Sequence, residues 1–131
     1  MKRDIETPED IKLLIDAFYK KVVTDDVIGY FFTQIIKLDR VVHIPIMYGF
    51  WETVLLGKIS YKGNPVIKHI ELNKKENLHQ NHFDRWVSLW NETIDEYFEG
   101  AKCKEAKNKA VTMARLMLIK IDDSKGKHFI Q

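Results

Sequence analysis

Apolar residues return along this chain at helical spacing. Ile11, Leu14, Ile15, Phe18 and Val22 recur every three to four residues, which sets one face of a helix against a core. Thr7 ahead of Pro8-Glu9-Asp10 supplies the start of that helix: a hydroxyl cap, a proline suited to the first helical position and two acids that complement the dipole. The pattern predicts a helix to about Val23. Asp25 or Asp26 then caps a shorter piece carrying Val27, Phe31, Phe32 and Ile35. A third helix is predicted from about Asp39 to Leu56, with Gly57 as its stop. Pro45 falls inside it. A proline there removes a hydrogen bond and crowds the preceding turn, so this helix either starts loosely before Ile44 or kinks there.

Residues 58–65 are turn-rich, ending in Tyr61-Lys62-Gly63-Asn64-Pro65, and Pro65 opens a short turn through His69 and Ile70. Asn73 to Asn81 is polar and reads as a loop. Phe83, Trp86, Leu89, Trp90, Ile94, Tyr97 and Phe98 form a strong helical stripe ended by Gly100. A Lys-rich start leads into another stripe of Ala106, Ala110, Met113, Ala114, Met117 and Ile121. The polar tail from Asp122 is expected to fray. There is no convincing alternating run and no repeat. The fold class is therefore all-α, one domain over residues 1–131, with the last two helices paired as an antiparallel hairpin.

Composition narrows the function classes. A chain of 131 residues that is 45% hydrophobic and 31% charged can build a core without disulfide staples. A net charge of +2 gives no case for nucleic acid or an anionic membrane as partner. Cys103 has no intrachain partner, which suits a reducing compartment. The longest stretch free of Asp, Glu, Lys and Arg, Val41 to Trp51, is too short to span a bilayer. A cytoplasmic location is the expectation. Phosphate loops, Cys/His zinc spacings and nucleophile elbows are absent.

What remains is aromatics and histidines on helices. None of His43, His69, His79, His82 and His128 forms a metal pair at i, i+4. On spacing alone each is more simply a surface or satisfied histidine. Trp86 and Trp90 on one face read as packing, and Tyr19 as a helix residue with its hydroxyl at the edge.

The order of four segments shifts that balance. They are Ala17-Phe18-Tyr19-Lys20-Lys21-Val22, His43-Ile44-Pro45-Ile46-Met47-Tyr48-Gly49-Phe50-Trp51, Tyr61-Lys62-Gly63-Asn64-Pro65 followed by Lys68-His69, and His82-Phe83-Asp84-Arg85-Trp86. Together they resemble the third group of truncated haemoglobins, from about Thr7 to Ile121. The missing Gly-Gly pair fits the third group better than the other two. The resemblance implies a shortened globin fold, a two-over-two helical sandwich around haem b. By position, His69 matches the proximal iron ligand. Tyr19 and Trp86 match the distal lining, and His43 a distal-helix position. Phe32 matches the ring lying flat against the porphyrin, and Met47, Phe50 and Trp51 the distal helix face.

A neutral imidazole is a good iron ligand, and one proximal histidine leaves the sixth position open. Hydroxyl and indole donors would stabilise the negative charge that dioxygen gains. His79 competes for the proximal role, and Lys62 and Lys68 are candidates to pair with propionates. The implied function is binding of dioxygen or another diatomic gas, nitric oxide or carbon monoxide. The alternatives are nitric oxide dioxygenation or peroxide-dependent oxidation with an external reductase, and a cofactor-free helical interaction module.

Overall fold

In the computed structural model the described residues are 2–30, 40–57 and 79–130, with side chains described except at 40–43 and 120–130. They form four helices: α1 (Pro8–Val23), α2 (Arg40–Leu56), α3 (Gln80–Tyr97) and α4 (Ala101–Ile130). Among the described residues there is no strand.

The start of α1 is as the sequence predicts. Thr7 Oγ1 accepts from the Asp10 amide at 3.2 Å, and the Asp10 carboxylate accepts from the Glu6 and Thr7 amides at 2.9 and 3.0 Å. Two orphan donors are thus satisfied reciprocally across the first turn. Ile11, Leu14, Ile15, Phe18 and Val22 are buried, as their spacing requires. Asp25 accepts from the Val27 and Ile28 amides at 2.9 and 3.1 Å, capping the turn that opens the next helical piece. That piece is described only to Tyr30.

α2 runs unbroken through Pro45. Pro45 is exposed, and the helix around it loses one hydrogen bond without breaking. Gly57 ends the helix with φ +70°. α3 begins before the loop predicted to Asn81 would end. The His79 amide donates to His82 Nδ1 at 2.9 Å, which ties the first turn together. Helix starts are polar because their amides are orphaned, so apolar spacing locates α3 a turn late. The tail expected to fray from Asp122 is helical in its backbone to Ile130. No proline interrupts it, and Asp123 precedes Lys127 at the favourable i, i+4 spacing.

α3 and α4 are joined by residues 98–100 and run antiparallel, held by the Trp90 indole N–H on the Ala106 carbonyl at 3.2 Å and by Lys107 paired with Asp95. α1 packs on α2 and on α3, and α2 touches α4. Lys21 of α1 reaches Glu96 of α3 at 2.7 Å.

The segment before α1 straps this assembly. The Asp4 carboxylate accepts from the Lys102 and Cys103 amides at 2.9 and 3.1 Å, so it caps α4 from far away in sequence. The Glu99 amide donates to the Arg3 carbonyl at 3.0 Å, and Ile5 is buried beside them. Gly100 permits this approach: its φ is +139°, and a Cβ there would sit 2.6 Å from Asp4 Cγ. Burial works to raise the Asp4 carboxyl, but bonds from the Lys102 and Ile5 amides and from Cys103 outweigh it and hold the group below its ordinary value. Burial, then the Asp4 carboxylate, push the Cys103 thiol up to about 11, so it stays protonated toward Asp4.

Asp4→Ala is expected to cost about 0.5–2 kcal/mol near neutral pH, the usual worth of a helix cap. Because the folded carboxyl sits below the ordinary 3.8, its contribution is complete above that value and is lost as pH falls through the lower folded one. Urea melts at neutral pH and in acid check this. The gap between wild type and variant should narrow only in the acid series.

Candidate functional site

The sequence puts aromatic residues on three helices, and packing brings their rings together. Trp90 is fully buried and central. Phe18 of α1 meets it edge-on at 5.0 Å, and Trp51 of α2 stacks on it at 4.4 Å and 26°. Phe18 also meets Tyr19 and Trp86 edge-on, at 5.2 and 5.9 Å. Trp86 lies parallel to Trp90 at 6.5 Å and 3°, one helical turn away. Phe50 closes the cluster edge-on to Trp51 at 5.2 Å. Offset-stacked and edge-to-face pairs are the arrangements aromatic quadrupoles favour.

The predicted site residues divide as follows. Tyr19, Phe50, Trp51 and Trp86 share this cluster, and Met47 is half-buried against the same core together with Ile44. His43 lies on the first turns of α2, but its side chain falls outside the described residues, as do Phe32, His69, Lys62 and Lys68 altogether. His79, the alternative proximal residue, is exposed at the start of α3. Among the described residues no group of three or more His, Cys, Asp or Glu could hold a metal ion.

The two parallel tryptophans differ in their polar edges. The Trp90 indole N–H is spent on the Ala106 carbonyl. Trp86 is half-buried, and among the described residues its indole N–H makes no hydrogen bond. Tyr19 is 5% exposed, and burial pushes its phenol far above the ordinary value, so it stays protonated at every physiological pH.

Ion pairs that sequence reasoning missed hold the frame. Arg85 Nη2 and Nε reach Asp25 Oδ1 at 2.6 and 2.8 Å, and the Asp25 side chain is 3% exposed. Burial alone would raise the Asp25 carboxyl. Arg85 and the Ile28 and Val27 amides hold it down instead. Arg85 immediately precedes Trp86, so the pair ties that turn of α3 to the end of α1. On the outer side, the Tyr48 hydroxyl donates to the Asp16 carboxylate. Burial and then Asp16 push the Tyr48 phenol up to about 12. Both contacts join residues far apart in sequence, and neither has a local signature.

No family model matches the chain. It is 28% identical over 120 residues to the Group 3 truncated hemoglobin ctb of Campylobacter jejuni, covering 89% of each chain. A crystal structure of a group III truncated hemoglobin from Campylobacter jejuni superposes with a TM-score of 0.80 at 26% identity, over 92% of this chain and 95% of that one. The chain therefore has an all-α globin fold of the truncated type. Within that class its likeness, in sequence and in structure, is to the third group of truncated haemoglobins. Among the described residues no helix is long and apolar enough to cross a membrane.

The contrast between the tryptophans is testable. Trp90→Ala should cost about 3–5 kcal/mol, because it opens a cavity where four helices meet. Trp86→Phe keeps most of the ring volume and should cost under about 1.5 kcal/mol. Chemical denaturation with matched m-values measures both, and equal costs would contradict the division of roles.

Proposed function

We propose that this chain binds haem b through His69 and holds a diatomic gas, dioxygen above all, beside Tyr19 and Trp86. The observation that carries the reading is the indole N–H of Trp86, which finds no partner among the described residues, one turn from an indole whose N–H is used, with Phe18 in ring contact with both Trp86 and the buried Tyr19. A packing residue needs no donor held in reserve. The donor set fits the group: a flat apolar macrocycle wants an aromatic and thioether wall, which Phe50, Trp51 and Met47 provide, and a small polar ligand on its iron wants uncharged donors. Haem-binding relatives of similar length support the same reading.

When bound, haem supplies an open axial position for the gas and a place where negative charge builds up on it. The chain does the rest. His69 would hold the iron, and Phe32 would pack against the macrocycle. Tyr19 and Trp86 donate toward the gas in a water-poor pocket, where such bonds are strong. A protonated Tyr19 is a donor at all relevant pH values. His43, a turn before Met47 on α2, gates the distal side. The Arg85–Asp25 pair positions Trp86 by fixing the neighbouring residue to the α1 end.

Purified protein should show a Soret band that shifts with carbon monoxide. His69→Ala should lose tight haem binding or its imidazole-ligated spectrum. If His79→Ala does this and His69→Ala does not, the proximal assignment moves to His79.

Each net hydrogen bond to a charged group is worth about 1.5–3 kcal/mol, so removing one should speed dioxygen release roughly ten-fold or more. Tyr19→Phe and Trp86→Phe remove the donors and keep the rings. Stopped-flow release rates should rise in both, by amounts that do not add if the donors share a network. Unchanged rates with lowered melting temperatures would reduce both residues to packing.

A further inference from the structure

Two side chains of α1 grip one ring of α2. The Tyr48 hydroxyl donates to the Asp16 carboxylate, and the Lys12 ammonium lies 6.0 Å from the centroid of the same ring. Lys12 and Asp16 stand one turn apart on α1, so together they meet the ring on its face and at its tip. Packing alone asks only for a ring at this half-buried place. It does not explain a hydroxyl held by a carboxylate of the neighbouring helix.

α2 has a use for such a grip. Pro45, three residues earlier, removes one bond of its ladder. Trp51, three residues later, holds α2 to α3 by stacking on Trp90. Two flat rings can slide across each other, whereas a hydrogen bond weakens steeply as its angle bends. The stack keeps α2 near the core, and the bond to Asp16 fixes its rotation. At about 100° per residue, Met47 lies just over a quarter turn from Tyr48 around the helix, and Phe50 nearly half a turn. Both pack in the core that also holds Tyr19. Side chains reach about 5–6 Å from a helix axis, so a rotation of about 10° moves their ends by about 1 Å.

We propose that Tyr48 and Asp16 are positioning residues for the gas site: their bond sets the rotation of α2 against α1, and with it the gap between Tyr19 on one helix and Met47 and Phe50 on the other. That gap decides how closely the Tyr19 donor approaches a bound gas and how many orientations the gas can take. The bond lies on the outer side of the two helices, so it acts through them and not on the gas. Burial and Asp16 push the Tyr48 phenol up to about 12, so its hydroxyl remains a donor across neutral pH.

The positioning role rests on the haem-binding reading, and one experiment separates their failures. Holoprotein with a verified Soret band is saturated with carbon monoxide, and the C–O stretch is recorded by infrared spectroscopy. Dioxygen release is measured by stopped flow on the same preparations. Tyr48→Phe removes the donor and Asp16→Ala the acceptor, while Asp16→Asn keeps an acceptor. The expected result is a shifted or split C–O band in Tyr48→Phe and in Asp16→Ala, with dioxygen release faster by about two- to ten-fold, the range of one net hydrogen bond. Asp16→Asn should keep the wild-type band, and the double variant Tyr48→Phe/Asp16→Ala should move it no further than either change alone. A wild-type band in both single variants overturns the proposal even where melting temperatures fall, because a tether that only stabilises the fold leaves the surroundings of the gas unchanged. Effects that add in the double variant overturn it too, since the two residues then act separately. A chain that takes up no haem overturns the functional reading, and the positioning role falls with it.

Discussion

Trp90 is the contact on which the rest of the structure depends. It sits where α1, α2 and α4 all reach α3: Phe18 meets it from α1, Trp51 from α2, and the Ala106 carbonyl from α4 takes its indole proton. A ring this large fits between helices only if its neighbours are small. α4 meets it at Ala106, a small residue, with Ala110 buried one turn further on in the same core. The small stripe and the large ring are one packing solution. Filling the space needs close complementarity, because interiors are packed as densely as organic crystals. Placing Trp90 also fixes Trp86, one turn earlier on the same helix.

Electrostatics then closes the ends of this frame by a repeated device. Asp4, Asp10 and Asp25 each put a carboxylate on backbone amides at the start of a helix or turn, and in each case those bonds outweigh the burial that would raise the carboxyl. Asp10 and Asp25 add an arginine, Arg3 and Arg85 respectively. A carboxylate at a helix N-terminus meets orphaned amides and the positive end of the dipole together. Asp10 works within its own turn, while Asp4 and Asp25 reach α4 and α3. The same chemistry that starts a helix therefore also docks one element on another.

This difference in range explains what the sequence disclosed. Thr7-Pro8-Glu9-Asp10 announces α1 because all its partners lie within one turn, and Gly57 announces the end of α2 for the same reason. The stripe from Phe83 to Ile94 shows which face of α3 is buried. The start of α3 at Gln80 is less visible, since polar residues belong at helix starts and in loops alike. The continuity of α2 through Pro45 turned on exposure, which spacing does not report. Asp4 under Gly100, Arg85 on Asp25 and Tyr48 on Asp16 join residues 32 to 99 apart, and no local pattern encodes such pairs. In the candidate site, the order of four segments names Tyr19, Phe50, Trp51 and Trp86, which share one aromatic cluster. Their edge-on and stacked geometry, and the inward place of Phe18 among them, required the fold.

The two parallel tryptophans show how one residue type serves two ends of an argument about function. An indole has a large apolar face and a single donor, and a buried donor left without a partner costs free energy. Trp90 meets that cost inside the protein, on a backbone carbonyl that is itself part of a helix. Trp86 finds no such partner among the described residues, although its ring is held by Phe18 and by its parallel neighbour. A donor can be held unpaired at a half-buried position only if water, or something in place of water, completes it. The ring contacts around Trp86 therefore hold its indole N–H at a half-buried position. On the proposed function, that position would suit a small, uncharged ligand that gains negative charge after it arrives, since a permanently charged one would lose too much hydration on entering.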